Sequence, residues 1–303
     1  MSFSADIKQE ILTKLPSSAC CRQAMLYGML ECSRGFSLRE MALQTELPAI
    51  ADTYSSLLWK CCRVPTLREE GGFSIVTVAD EWRPRVLRFF GHGQNDLTLR
   101  LNRGMFDCDS CQNAYLRGVF LACGAVSDPE ADYHLELNIP SPALSRALEV
   151  LLRELDLPPK TLNRKGTSVL YYKDSEQIEE FLTRIGAASA TLQMMHVKMM
   201  KDIRNNVNRA NNCEAANLDK TISAAAEQCR AVRVIEENGG LQALSEELRA
   251  LAELRRDNPD LSLRELGEML EPPLSRAGVC HRFRRIREVA DRILEENMKK
   301  PQK

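Results

Sequence analysis

Two segments about 90 residues apart each carry a glycine within a helical run of small and apolar residues: 26–35 (LYGMLECSRG) and 114–124 (AYLRGVFLACG). Glycine has no side chain to hold two backbones apart, so a helix with a central glycine can pack very closely on a partner. Gly28 matches Gly118, which predicts that the two helices pair with each other. We therefore expect an internally duplicated chain with a C-terminal addition.

The spacing of apolar residues predicts the same order of elements in both copies: helix, two strands, helix, two strands, helix. A helix over residues 4–15, capped by Ser4, precedes the first copy. The second copy is predicted to close with a helix over residues 175–185 capped by Ser175, after a hairpin that turns at residues 163–166. Residues 97–103 alternate and predict a short strand or a linker.

Residues 187–237 predict a helix over most of their length, with a cluster of asparagines inside it. Asparagine is a mediocre helix former, so the cluster predicts a helix end or break. Amides beside basic side chains also suit contacts with phosphates or base edges. Contact with DNA and plain linker packing both stay open for this segment. The side chains that would contact DNA are Lys201, Arg204, Asn205, Asn208 and Arg209.

The C-terminal region has the pattern of a helix-turn-helix. A helix is predicted over residues 245–258, and the capping-box pair Ser262 and Glu265 predicts the start of a short one. After a proline-containing turn, Ser275 predicts the cap of a longer basic helix that runs to about Leu294. A short helix, a tight turn and a longer basic helix are typical of this motif, and the segment resembles the sigma-factor region 4 type.

Basic side chains crowd the first half of the longer helix. Residues near the start of a recognition helix meet base edges, which favours Arg276, Cys280 and His281 as base contacts. Arg284 and Arg285 are better placed for phosphates. A solvated cationic face balanced by glutamates is the alternative. The full set of predicted DNA contacts is Arg264, Ser275, Arg276, Cys280, His281, Arg282, Arg284 and Arg285.

Residues 116–124 (LRGVFLACG) resemble the signature helix of LAGLIDADG homing endonucleases. Together with the C-terminal region, they identify the chain as a member of the WhiA family, bacterial sporulation and cell-division regulators of Gram-positive organisms. The resemblance implies an α+β fold in which a duplicated LAGLIDADG-like αββαββα saddle is followed by an all-α helix-turn-helix domain. The expected domains are a first repeat (1–92), a second repeat (93–190), a helical linker (191–240) and a DNA-binding domain (241–303, with its motif at about 262–294).

The resemblance also bears on catalysis. In the nuclease family each signature helix carries an acidic residue just before its final glycine, and the two carboxylates hold the metals that activate water. Ser33 and Cys123 occupy those positions here, and Arg34 replaces the final glycine of the first copy. A hydroxyl and a thiol are poor ligands for Mg²⁺, so we expect no catalytic residues. Glu31 lies about 200° from Ser33 around the helix and cannot replace the missing acid.

The chain has eleven cysteines, which we interpret as reduced thiols that mostly serve as small core residues. Cys108 and Cys111 form the only CxxC. A structural zinc site usually needs a second pair of ligands at comparable spacing, and the sequence offers no second CxxC and no closely spaced histidine pair. We therefore expect neither a metal nor a cofactor, and a thioredoxin-like role is still less favoured.

The formal net charge of −1 argues against a uniformly basic nucleic-acid binder, although local clustering of charge matters more than the sum. No apolar run approaches the length of a membrane span, and the N-terminus lacks the layout of a signal peptide. We therefore expect a cytoplasmic, nucleoid-associated protein with no membrane partner.

The resemblance implies a sequence-specific DNA-binding transcriptional regulator without nuclease activity, linked to cell division, chromosome segregation and, in spore formers, sporulation. Its expected partners are double-stranded promoter DNA and another transcription factor or RNA polymerase. Two alternatives stay open. One is an active LAGLIDADG-type homing endonuclease, and the other is a protein-interaction platform in which only the C-terminal domain contacts DNA.

Overall fold

The computed structural model describes residues 2–93, 101–164 and 167–299, with the side chains of all but Arg164 and Lys299. The chain forms two compact units, Met1–Asp202 and Ile203–Lys303. In the described part of the chain, no helix combines the length and the apolar character needed to cross a membrane.

The first unit begins with helix α1 (Phe3–Thr13), which leads into the first copy of the duplicated arrangement. This copy contains α2 (Ala19–Glu31), β1 (Gly35–Phe36), β2 (Met41–Thr45), α3 (Pro48–Cys62), β3 (Leu67–Glu70), β4 (Ser74–Thr77) and α4 (Arg83–Phe89). Its strands form an antiparallel sheet in the order β1-β2-β4-β3, with Leu43 paired to Val76 at the centre.

The second copy repeats this arrangement. It contains α5 (Ser110–Cys123), β5 (Gly124–Val126), β6 (Leu135–Ile139), α6 (Pro142–Glu154), β7 (Lys160–Arg164), β8 (Thr167–Tyr172) and α7 (Ser175–Arg184). Its sheet has the order β5-β6-β8-β7, and Leu137 pairs with Leu170 as Leu43 does with Val76. Equivalent strands hold equivalent places, so the predicted duplication and the α+β class are confirmed.

Two predicted helix caps are wrong by one or two residues. Helix α1 is capped by Ser2 rather than Ser4, because the Ser2 hydroxyl accepts a hydrogen bond from the Ala5 amide. Helix α7 is capped by Asp174 rather than Ser175, since the Asp174 carboxylate accepts from two backbone amides of the first turn. In each case the side chain that reaches the unpaired amides of the first turn decides where the helix begins.

The segment between the copies was predicted to form a short strand or a linker. Residues 94–100 lie outside the described part of the chain, and the residues that follow contain a short 3-10 turn at Arg103–Met105. Half of the predicted hairpin turn at residues 163–166 also lies outside the described residues, although β7 and β8 flank it as expected.

Helices α2 and α5 pack directly against each other through their glycines. A Cβ atom on Gly28 would overlap the carbonyl oxygen of Tyr115, and one on Gly118 would overlap that of Met25. Both obstacles are backbone atoms, which cannot move aside as a flexible side chain would. The predicted pairing of the two helices is therefore confirmed, and it lies at the centre of the first unit's hydrophobic core.

Helix α8 (Ala188–Glu237) is continuous over 50 residues, so the helix break predicted from the asparagine cluster is wrong. Asparagine costs at most about 0.7 kcal/mol relative to alanine in a helix, whereas glycine and proline cost more. Residues 188–237 contain neither glycine nor proline. The modest penalties of the asparagines therefore do not interrupt the helix.

The second unit contains the C-terminal part of α8 and the helices α9 (Glu246–Asp257), α10 (Leu263–Glu268) and α11 (Arg276–Lys299). The predicted capping box of α10 is present, with the Ser262 amide donating to the Glu265 carboxylate at 2.8 Å. Ser275 accepts from the Gly278 amide and begins α11 as predicted. Helices α10 and α11 form the expected helix-turn-helix.

The turn of this motif depends on Gly267. Its carbonyl accepts a hydrogen bond from the Leu274 amide at 2.9 Å, and a Cβ atom at this position would overlap the Leu274 carbonyl oxygen. The apolar face of α11 supplies Val279, Phe283 and Ile286 to the buried core of this unit.

Candidate DNA interface and the ends of the paired helices

The solvent-facing side of α11 carries most of the predicted DNA contacts. Arg276, Cys280 and Arg284 follow one another at four-residue intervals, so they lie along one face of the helix. His281 and Arg285 lie further around the helix, beside this row. All five side chains are exposed, as is that of Ser275. In the part of the chain that the structure describes, Arg276, Arg284 and Arg285 have no ion-pair partner.

Arg282 and Arg264 have partners within the second unit. The Arg282 guanidinium lies 3.2 Å from the Glu247 carboxylate, and its side chain is only 20% exposed, so it ties α11 to α9. Arg264 pairs with Glu268 one turn away at 3.0 Å, but its side chain is 82% exposed. An exposed pair of this kind contributes about 0.3–0.5 kcal/mol and gives way easily to a phosphate. The geometry therefore favours Arg264 over Arg282 as a DNA contact.

Arg255 supports the motif and was not singled out from the sequence. It is 1% exposed, and its guanidinium donates to the carbonyl oxygens of Asn258, Pro259 and Leu261. The group also lies 5.5 Å from the centre of the Phe283 ring. Arg255 thus fixes the segment that leads from α9 into α10. The available signal was its spacing, because it falls four residues after Leu251 and seven after Leu248, on the buried face of α9.

The predicted contacts on α8 also divide into two kinds. Arg204, Asn205, Asn208 and Arg209 are exposed and share one face, since they are spaced by one and four residues. Lys201 is engaged elsewhere, because its ammonium donates to the Pro129 carbonyl at 2.6 Å and lies 4.9 Å from the centre of the Tyr133 ring. Lys201 therefore packs α8 within the first unit.

The C-terminal ends of α2 and α5 hold the two positions where the nuclease family has its acids. The Ser33 hydroxyl is buried and donates to the carbonyl oxygens of Leu30 and Gly35 at 2.7 and 3.1 Å. The Cys123 thiol donates to the Val119 carbonyl at 3.3 Å. Both groups are occupied by backbone acceptors, so neither offers a charged oxygen to a metal ion.

A lysine lies beside these positions. Lys8, Ser33 and Arg34 line a cleft of about 440 Å³ at this end of the paired helices. Burial lowers the pKa of the Lys8 ammonium, and the nearby Cys123 and Glu46 partly offset this. An ammonium held in the cleft would repel a divalent cation. The cleft is therefore unsuited to the two-metal chemistry of a nuclease.

Glu31 faces the partner helix rather than this cleft. Its carboxyl group is buried and accepts a hydrogen bond from the Tyr115 hydroxyl at 2.6 Å. Burial raises the pKa of Glu31 to about 7, and hydrogen bonds from Tyr115 and Tyr27 oppose the shift. Glu31 does not replace the missing acids at the end of the helix.

Four thiols meet at the opposite ends of the same two helices. The sulfur atoms of Cys20, Cys21, Cys108 and Cys111 all lie within 4.8 Å of one another. We expected no metal at the CxxC because the sequence offered no second pair of ligands at comparable spacing. The adjacent cysteines of the first copy supply that pair, so this ground for excluding a metal no longer holds.

Comparison with known proteins gives consistent matches. A family model described as the WhiA C-terminal HTH domain matches residues 207–290, and one described as the WhiA LAGLIDADG-like domain matches residues 112–204. A probable cell division protein WhiA from Carboxydothermus hydrogenoformans is 36% identical, and the match covers 97% of this chain and 98% of that protein. A protein of the same name from Syntrophomonas wolfei is 35% identical, with 98% and 100% covered.

A solved structure shows a similar fold along nearly the whole chain. The full-length WhiA from Thermatoga maritima is 25% identical and superimposes with a TM-score of 0.60, covering 96% of this chain and 99% of that one.

Proposed function

Because the chain belongs to the WhiA family, we propose that it is a transcription regulator that binds specific duplex DNA sequences and has no nuclease activity. The observation that carries this proposal is the exposed surface of α11, the second helix of a helix-turn-helix, which presents three arginines that form no ion pair with any described residue. A recognition helix of this kind enters the major groove, where arginine reads guanine and also reaches phosphates.

The proposed contacts follow from exposure and pairing. Arg276, Cys280 and His281 meet base edges near the start of α11, and Arg284 and Arg285 meet phosphates. Ser275 adds a contact from the helix cap. Arg264 joins them by exchanging its exposed partner for a phosphate, while Arg282 acts chiefly by holding α11 against α9.

The exposed face of α8 adds a second, sequence-independent contact. Four exposed side chains of this helix can reach the DNA backbone: Arg204, Asn205, Asn208 and Arg209. Lys201 contributes less, because a contact with DNA would cost it the Pro129 carbonyl and the Tyr133 ring.

The absence of nuclease activity is supported by the end of the paired helices. Ser33 and Cys123 replace the expected acids, and Lys8 adds a positive charge where metal ions would have to bind. The division into repeats 1–92 and 93–190, a linker 191–240 and a DNA-binding domain 241–303 is part of the same proposal.

We extend the proposal to the biology that the relatives' name suggests, which is cell division. The regulator would act on promoter DNA at the nucleoid, with RNA polymerase or another transcription factor as a partner. Its targets would include genes for chromosome segregation and, in spore formers, sporulation.

The test begins with the full chain and a pool of random duplexes in the presence of Mg²⁺, followed by sequencing of the retained DNA and a gel for cleavage. One enriched motif and intact DNA are expected. Cut DNA would overturn the non-nuclease assignment, and a pool without enrichment would favour a protein-interaction platform.

Arg276→Ala then tests the recognition face. Loss of one base contact is expected to weaken binding to the enriched site by about 1–3 kcal/mol, and binding to random duplex by less. Arg292→Ala is the matched control. Arg292 is an exposed arginine about 24 Å further along the same helix, and its substitution removes the same charge as Arg276→Ala. Equal losses in the two variants would contradict a base contact at Arg276.

A further inference from the structure

The two copies each contribute a pair of cysteines to one place. Cys20 and Cys21 lie in the first turn of α2, and Cys111 lies in the first turn of α5, with Cys108 just before that helix. The glycine contact at Gly28 and Gly118 holds the two helices together along their length. Two cysteine pairs that lie about 88 residues apart in the sequence therefore meet at the N-terminal ends of the paired helices.

Four of the six distances between the sulfur atoms match those of a tetrahedral thiolate site, and all six are within 4.8 Å. Cys108 Sγ lies 3.7 Å from Cys20 Sγ, 3.6 Å from Cys21 Sγ and 3.5 Å from Cys111 Sγ, and Cys21 Sγ lies 3.9 Å from Cys111 Sγ. Zinc binds thiolate sulfur at about 2.3 Å in a tetrahedron, which places the four sulfurs about 3.8 Å from one another. A metal ion fits at the centre with only small side-chain adjustments.

We propose that Cys20, Cys21, Cys108 and Cys111 bind one Zn²⁺ ion as a closed structural site that joins the two copies. Four soft thiolate ligands in a tetrahedron select zinc among the common divalent ions, and four protein ligands leave no position for a substrate. The first two cysteines and the CxxC thus act as the two halves of one ligand set.

Burial raises the pKa of the Cys21 and Cys111 thiols, and the charges around the site offset part of this cost of forming thiolates. Both cysteine pairs lie at helix N-termini, where the unpaired amides and the helix dipole stabilise negative charge. Zinc with four thiolates carries a net charge of −2, and Arg117 and Arg184 line the cleft that Cys21 and Cys108 also border. The side chain of Arg117 is held there by the Ile185 carbonyl at 2.8 Å.

The pattern of burial suits a site that fills after the first unit folds. Cys21 and Cys111 are buried, Cys20 is partly buried and Cys108 is exposed. A metal ion can therefore enter from the Cys108 side, while the buried ligands protect it from solvent. Binding releases up to four protons as the thiols become thiolates, so the affinity rises with pH.

The experiment uses the full chain purified under reducing conditions and passed through a gel-filtration column in EDTA. Elemental analysis is expected to find one zinc per chain, and replacement by Co²⁺ is expected to give the intense visible spectrum of a tetrahedral thiolate site. Three results would each overturn the proposal. The first is a chain without zinc whose four thiols are free, and the second is a chain whose four cysteines form disulfide bonds despite the reducing conditions. The third is iron in place of zinc.

Variants test the ligand set. Cys108→Ser removes an exposed ligand with little effect on packing, and it is expected to lose the EDTA-resistant zinc and the tetrahedral Co²⁺ spectrum. Cys213→Ser is the matched control, because Cys213 is an exposed cysteine on α8 outside the cluster, and it should keep one zinc. Retention of zinc in Cys108→Ser with an unchanged Co²⁺ spectrum would contradict the assignment of Cys108. The zinc content of the unmodified chain decides the proposal even if a variant fails to fold.

Discussion

Glu31 gives the first unit a pH-dependent stability that one substitution should remove. Its carboxyl group is buried between α2 and α5, and burial raises its pKa from 4.5 to about 7. The folded protein therefore binds the Glu31 proton more tightly than the unfolded chain does. The stability that this bound proton contributes is fully present below about pH 4.5 and is lost as the pH rises through 7.

The magnitude follows from the size of the pKa shift. One pKa unit corresponds to about 1.4 kcal/mol, so a shift from 4.5 to about 7 costs the folded state about 3 kcal/mol above pH 7. In Glu31→Gln the amide oxygen still accepts the Tyr115 hydroxyl at every pH. We expect the variant to match the unmodified protein near pH 4.5 and to be about 3 kcal/mol more stable at pH 8.

The assay is urea unfolding followed by tryptophan fluorescence. The chain has two tryptophans, Trp59 and Trp82, and both lie in the first unit, so the signal reports on that unit alone. Glu69→Gln is the control, because Glu69 is exposed and its substitution should leave the pH profile unchanged. Parallel stability profiles for Glu31→Gln and the unmodified protein between pH 5 and pH 8 would refute the reasoning.

Two further substitutions test close backbone contacts. Gly118→Ala should destabilise the first unit by about 1–3 kcal/mol, because the new methyl group meets the Met25 carbonyl oxygen. Urea unfolding followed by tryptophan fluorescence measures the loss of stability. An unchanged unfolding midpoint would contradict the close contact. Gly267→Ala should weaken binding to the enriched DNA site by disrupting the turn of the helix-turn-helix. Gly278→Ala, whose methyl group would meet only ordinary contacts of 3.4 Å or more, should bind like the unmodified protein, and equal affinities in all three would argue against a role for the turn.

The sequence carried most of the fold because its strongest signals are local. A central glycine at Gly28 and Gly118 predicted the helix pair, and the capping box at Ser262 predicted the start of α10. The break expected within α8 failed for a local reason as well, since a helix without glycine or proline tolerates several asparagines. Strand β5 was expected from the order of the elements but was not located in the sequence, because three residues directly after a helix are too few to show a period.

The missed parts of the candidate sites depend on contacts between distant segments. The thiols of Cys20 and Cys108 approach to 3.7 Å only because α2 and α5 pair with their N-termini together, and no spacing along the chain records that. Arg255 was not singled out from the sequence, because the three carbonyl groups that surround its guanidinium come together only in the fold. The sequence does not distinguish Arg282 from Arg284, since both are basic residues of the same helix. In the structure Arg282 pairs with Glu247 on α9.

The position of Lys8 sets this cleft apart from one that could bind metal ions after a single substitution. A carboxylate restored at Cys123 alone would find an ammonium as its neighbour and would form an ion pair with it instead of binding a metal ion. A carboxylate restored at Ser33 alone would lose the two backbone acceptors that the hydroxyl now satisfies. Lys8, Ser33 and Cys123 would all have to change before two carboxylates could face a metal ion in this cleft, so a metal-binding arrangement lies several substitutions away.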